Sequence, residues 1–263
     1  RNFRGADLSD VDFSYADLSG ADLSYANLNR ARFYQATLYR TNCQKARLIH
    51  ADMREINASS ADFMNATLTG SDISFANLQN AMLGQCNLSQ TRLIKTLLMG
   101  ANMVKAIVRN TDLGLANCSN IEATATDLTG SRMELTDFTN AELSSSHMAK
   151  CDMRHANLLR ARLTTSVLTE VNGTGVNFQD ANLSFSDLSQ SIWVNADLSD
   201  ANATQTDFSQ SKLSEAIMAF GCFRHANFSD SEMIETNLKA ADMAYTNLTR
   251  VFMLRPNFNR TDF

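Results

Sequence analysis

One rule runs the length of this chain: every fifth residue, at positions whose numbers end in 3 or 8, is a block centre, and nearly all centres are large and apolar. Of the 53 centres, 24 are Leu, 11 Phe and 9 Met, and only Gly173 lacks a side chain. Two residues before each centre stands a small residue, except at Arg1, Ile56, Ile121 and Pro256. A period of five fits neither the 3.6-residue helix nor plain strand alternation. It fits a short extended segment followed by a corner. Residues two apart on an extended segment face the same way. The small residue and the centre therefore point inward, and the residues flanking the centre point outward. The fifth residue turns the chain. The Asp or Asn that often precedes the centre suits a corner, because its side chain bonds nearby backbone groups.

Near the start the blocks read ADLSD (6–10), ADLSG (16–20) and ADLSY (21–25). They match A(D/N)LXX literally, and the sequence resembles the pentapeptide-repeat family over essentially its whole length. The resemblance implies an all-β fold, a right-handed quadrilateral parallel β-helix with four blocks, or 20 residues, per coil. Two patterns agree with 20. Outward residues at that step from Asp12 read Asp12, Arg32, Asp52, Asp72, Arg92, Asp112, Arg132, Asp152, an alternation suited to cross-strand ion pairs. Gly173 and Trp193 are also 20 apart, so the largest centre is expected to fill the space beside the missing one. The expected object is a single β-helix over 1–263, about 13 coils with no interrupting loop and roughly 60 Å long. The chain opens and closes inside a repeat with no amphipathic cap, so a segment of a longer polypeptide is expected.

The remaining chemistry is sparse. No apolar run is long enough to span a bilayer as a helix. The net charge of -5 argues against general nucleic-acid binding. His50, His147, His155 and His225 have no partner at ligand or triad spacing and read as surface residues. Cys43, Cys86, Cys118 and Cys151 fall at inward positions, with no pair on adjacent coils. They read as small core residues in a reducing compartment, the cytoplasm or a host cytosol. Cys222 faces outward as a surface thiol. No phosphate loop, HExxH or GxSxG appears. The many carboxylates and sequons follow from the repeat rule itself. No enzyme, cofactor or metal site is expected.

Function is then sought where outward positions break the rule. Arg30, Tyr34, Tyr39, Arg40, Lys45 and Arg47 form a basic-aromatic stretch suited to an acidic partner or a nucleic acid, unless Arg32 serves only to pair with Asp12 and Asp52. Ile94, Leu97, Met99, Val104 and Ile107 are apolar at outward positions, but spread over several sides. The leading candidate follows Asp152. There the ladder gives way to Ile192 and Val194, Lys212 and Ser214, Glu232 and Ile234, then Phe252 and Leu254. Exposed apolar surface of this kind marks an interaction site, whether with a partner, by self-association or under a flanking cap. The sequence thus points to a non-catalytic protein-binding scaffold, expected within a larger protein. The family resemblance implies bacterial effectors, in which such a rod adjoins another module, as one setting. Its candidate interface is Ile192, Val194, Ile234, Phe252 and Leu254. The family resemblance also implies an alternative, a DNA mimic that protects gyrase or topoisomerase IV from quinolones. The alternating charge, the basic band and the uninterrupted repeat depart from that pattern.

Overall fold

The computed structural model describes residues 1–263. The chain divides into two compact units, Arg1–Arg132 and Met133–Phe263. Within each, single-residue parallel bridges join positions 20 apart, from Asn2↔Asp22 and Asp7↔Asn27 in the first unit to Asp137↔Asn157 and Asp242↔Asp262 in the second. Four blocks make one coil of a right-handed quadrilateral β-helix. The bridges are one residue long because each side of the coil is only three residues wide. The exception is a pair of three-residue strands, β1 (Glu232–Ile234) and β2 (Phe252–Leu254). They are parallel, with Glu232 beside Phe252, Met233 beside Met253 and Ile234 beside Leu254.

The backbone explains the motif. A buried N–H must find a partner, and block 21–25 shows how all five do. Ala21 N–H closes the turn onto Leu18 O at 2.9 Å. Asp22 N–H reaches back a coil to Arg1 O at 3.0 Å. Leu23 and Tyr25 donate forward a coil, to Asn42 O at 2.7 Å and Gln44 O at 2.9 Å. Ser24 N–H has no backbone acceptor in this pattern and donates to Asp22 Oδ1 at 3.0 Å. The Asp or Asn before the centre is therefore the acceptor that the backbone ladder lacks. Where Arg47 replaces it, Ile49 N–H takes Asn29 Oδ1 of the preceding coil at 3.0 Å.

The corner residue has an unusual conformation. All 52 positions whose numbers end in 5 or 0 have positive φ, 46 of them non-glycine and 6 glycine. With the carbonyl of the centre accepting the N–H three residues on, this is the signature of a type II turn. Bulky residues such as Phe75, Leu135 and Phe185 accept the left-handed conformation because the ladders on both sides of the corner hold it.

Inside, the small residues and centres are buried throughout the middle of each unit. Ser and Thr are tolerated inward because their hydroxyls reach turn carbonyls one coil back, as in Thr41 Oγ1 to Leu18 O at 2.9 Å and Thr206 Oγ1 to Leu183 O at 2.8 Å. Trp193 is fully buried. A Cβ on Gly173 would collide with its Cζ3 and Cε3 atoms. Its Nε1–H donates to Leu188 O at 3.0 Å, and its ring packs edge-on against Phe178.

Candidate protein-binding surface

The charged rows came out differently from a strict ladder. Arg32 pairs with Asp12 at 2.8 Å, and Arg92 with Asp72 and Arg132 with Asp112 at 3.8 Å. Asp52 turns instead to Arg54, two residues on, which grips both carboxylate oxygens at 2.8 and 2.7 Å. Pairs that sequence reasoning missed sit on the corners, including Arg30–Asp10 at 2.7 Å and Arg250–Asp230 at 2.6 Å. Comparing corner positions at the step of 20 would have found them.

The Arg side chains hold several carboxyls below the usual carboxylate range. Hydrogen bonds from Arg30 and Arg250 do so for Asp10 and Asp230. At Asp127 burial pushes upward, but Arg109 and the Thr129 hydroxyl and N–H outweigh it and the carboxyl ends lower. Burial pushes the Cys86 thiol up to about 12 and also raises Cys43. These thiols are unsuited to act as nucleophiles. All four histidines are exposed. No group of three or more His, Cys, Asp or Glu side chains is placed to hold a metal ion. No helix is long and apolar enough to cross a membrane.

The six basic-aromatic residues are not brought together. Arg30 is occupied by Asp10. Tyr34 donates to Glu55 Oε1 at 3.3 Å and lies under Arg54. Tyr39 packs with Arg40, the guanidinium 5.0 Å from the ring centre. Lys45 instead joins two residues that the sequence reading did not single out. Its Nζ lies 5.3 Å from the Tyr25 ring centre, and Arg4 covers the same ring at 4.5 Å. Lys45 also donates to the Tyr25 hydroxyl, which lowers the phenol's pKa. Arg47 stands exposed between Asn27 and Thr67. Of the apolar belt, Leu97 and Ile107 are exposed and Ile94, Met99 and Val104 half-buried, on separate rows.

In the second unit the rule-breaking rows do adjoin. Bridges link Ile192 to Lys212 and Lys212 to Glu232. The β1–β2 pairing then sets Phe252 beside Glu232 and Leu254 beside Ile234. Phe252 is 58% exposed, Leu254 48% and Ile192 37%. Val194 and Ile234 are half-buried. Lys212 and Ser214 interrupt the apolar run, and Ser214 Oγ donates to Glu232 Oε1 at 2.8 Å. The apolar surface therefore has two parts, Ile192 with Val194, and Ile234 with Phe252 and Leu254.

The family profile described as pentapeptide repeats matches the chain in eight copies, at residues 2–40, 16–54, 41–80, 76–114, 116–154, 156–192, 194–230 and 222–253. The chain belongs to the pentapeptide-repeat family. Comparison with curated protein sequences finds no match. Similar solved structures include HetL, a pentapeptide repeat protein involved in heterocyst differentiation regulation from the cyanobacterium Nostoc, 25% identical over 96% of this chain and 89% of that one, with a TM-score of 0.36. QnrB1, a plasmid-mediated fluoroquinolone resistance protein, is 13% identical over 61% of this chain and 89% of its own, with a TM-score of 0.33. A pentapeptide repeat protein from the thylakoid lumen of Arabidopsis thaliana is 29% identical over 46% of this chain and 66% of that one, with a TM-score of 0.28. Superpositions this loose carry no residue-by-residue correspondence. In this pentapeptide-repeat chain, Ile192 and Phe252 stand where the motif has Asp or Asn. Each gives up a backbone acceptor and presents an apolar side chain outward.

Proposed function

We propose that the chain is a non-catalytic protein-binding scaffold, an interaction domain of a larger polypeptide, and that Ile192, Val194, Ile234, Phe252 and Leu254 form its partner-facing surface. The exposure of Phe252 and Leu254 beside Ile234, at positions filled elsewhere mainly by polar residues, carries this reading. Water-exposed apolar side chains that serve neither core nor ladder gain by association. The double variant Phe252→Asp, Ile234→Asp should lose self-association in light scattering, or partner capture in a pull-down with the parent chain as bait. Both positions face outward, so the fold should survive. If neither oligomeric state nor captured proteins change, this surface is not the interface.

The DNA-mimic alternative calls for stripes of uncompensated acid. Here Asp10, Asp12, Asp52 and Asp230 each have an Arg within 2.6–2.8 Å. A gyrase supercoiling assay with and without a quinolone separates the two readings. The scaffold reading expects no protection.

A further inference from the structure

The first unit holds a second surface, which borders an ion pair only at its upper end, where Asp127 follows Ile107 on the same row and is held by Arg109. Three outward rows run up one corner. One passes through Ser24, Gln44, Met64 and Val104, the next through Tyr25, Lys45, Asn65, Gln85 and Lys105, and the third through Asn27, Arg47, Asn87 and Ile107. Backbone bonds fix the stacking, with Lys45 N–H on Met64 O at 3.0 Å and Gln85 N–H on Val104 O at 3.0 Å. From Ser24 to Ile107 these rows contain no carboxylate. Arg30, Arg32, Arg54, Arg92 and Arg109 of this unit are ion-paired. Lys45, Arg47 and Lys105 have no carboxylate partner. Lys45 and Arg4 share the Tyr25 ring, Lys45 also donating to its hydroxyl and Arg4 to the Ser24 hydroxyl.

The same strip carries apolar side chains at positions where the motif calls for Asp or Asn. Met82 stands on a fourth row beside these three, between Asp62 and Asn102, and is 42% exposed. This row does carry carboxylates, Asp22, Asp62 and Glu122, and Asp62 accepts from Gln44 Nε2 and Met64 N–H. Ile107, between Asn87 and Asp127, is also 42% exposed. Met64 and Val104 are half-buried between them. With coils about 4.8 Å apart, the span from Ser24 to Val104 is roughly 19 Å, the length of a helix of about 13 residues.

We propose that this strip binds an acidic segment of a partner protein, whose apolar side chains rest on Met64, Met82 and Ile107 and whose carboxylates meet Lys45, Arg47 and Lys105. Uncompensated cations around an apolar centre select for that combination, because each partner carboxylate finds a charge not already neutralised. A nucleic acid fits less well. Duplex DNA presents one phosphate per about 1.7 Å and is held by dense cation arrays, whereas here a few cations are separated by methionine, valine and isoleucine. The proposal shares with the scaffold reading only the premise that the chain binds protein. Its surface is separate from Phe252 and Ile234, so either can fail alone.

Fluorescence anisotropy tests it with two labelled amphipathic helical peptides that share a Leu/Phe face, one carrying Glu on the polar face and the other Lys. The Glu peptide should bind, weakening at least about tenfold as NaCl rises from about 0.05 to about 0.5 M. Lys45→Glu with Lys105→Glu should weaken it about tenfold or more, the scale of one lost charge-assisted contact. Met82→Asn with Ile107→Asn should weaken it too. These two substitutions restore the repeat's own residue, so an unchanged or raised melting temperature excludes misfolding as the cause. Phe252→Asp with Ile234→Asp should leave this binding as it was. The proposal is overturned if the Lys peptide binds as well as the Glu peptide, if the Lys45 and Lys105 variant binds like the parent, or if a single-stranded oligonucleotide binds more tightly than the Glu peptide.

Discussion

Trp193 and Gly173 illustrate how single residues set the core. The indole occupies the space that a side chain at 173 would need. Trp193→Ala should therefore open a cavity and cost about 3–5 kcal/mol. Gly173→Ala should overpack the same place and cost about 1–3 kcal/mol. Denaturant melts check both, and a loss below about 1 kcal/mol for Trp193→Ala would contradict the packing. This pair was legible in the sequence because a missing centre and an oversized one stood one coil apart. The Arg4–Tyr25–Lys45 stack was not. Corner residues look free to vary when each block is read alone. The step of 20 brings Lys45 to Tyr25, but Arg4 stands 21 residues back, beside the corner, and only the folded coils show Tyr25 between two cations.

The carboxylates of the first blocks give the residue scale a pH dependence. The Ser14 hydroxyl and N–H hold the Asp12 carboxyl below its ordinary value of 3.8, and those of Ser19 do the same at Asp17. Asp7 and Asp22 are lowered in the same way by Ser9 and Ser24. A folded-state pKa below the unfolded one gives stability that is complete above the ordinary carboxylate range. That stability is lost as pH falls through the folded values. The melting temperature should accordingly hold steady down to about pH 5 and drop below about pH 4. Asn keeps the Oδ1 acceptor but cannot titrate. Replacing Asp7, Asp12, Asp17 and Asp22 together by Asn should flatten the acid limb. Parallel curves for the parent and this variant would show that these bonds do not carry the dependence.

At the level of the block, the sequence pattern announced inward and outward faces correctly, because burial follows the centre and the small residue directly. It also indicated a turn role for Asp and Asn. The particular N–H that they satisfy emerged only from tracing the backbone, since nothing in a motif says which donor the ladder leaves over. The left-handed corner was hidden for a related reason. Only 6 of the 52 corner residues are glycine, so the usual signal for positive φ is absent. A left-handed L-residue costs on the order of 1–2 kcal/mol, which the flanking ladders offset. Phe185, exposed and at φ 63, should tolerate replacement well. Phe185→Gly should relieve that strain while adding unfolded-state entropy, for a net stabilisation of about 0.5–1 kcal/mol. A urea midpoint shifted downward instead would mean that the ring contributes packing that its exposure conceals.

For the molecule as a whole, the key property is that tertiary pairing is local. Bridges join residues 20 apart in both units, so each coil depends on the coils before and after it. Pairing over such short separations is the regime of low contact order. The natural unit of change is then 20 residues. Removing 61–80 joins Ser60 to Ala81 in the same phase, so centres remain inward and rows remain rows. It even replaces the like-charged neighbours Asp52 and Asp72 with Asp52 opposite Arg92. Removing 61–77 saves fewer residues but does more damage. Leu78 would follow Ser60 out of phase, and either Leu78, Gln79 and Asn80 bulge from the corner or every later side chain meets the wrong face. The 20-residue deletion should keep the parent's β-rich circular dichroism and a single cooperative melt. The 17-residue deletion should melt lower and less sharply. Equal melting of the two would mean that coils need not stay in phase. Row-specific features such as the carboxylate-free corner and the Ile234–Phe252–Leu254 surface would then lose their structural basis.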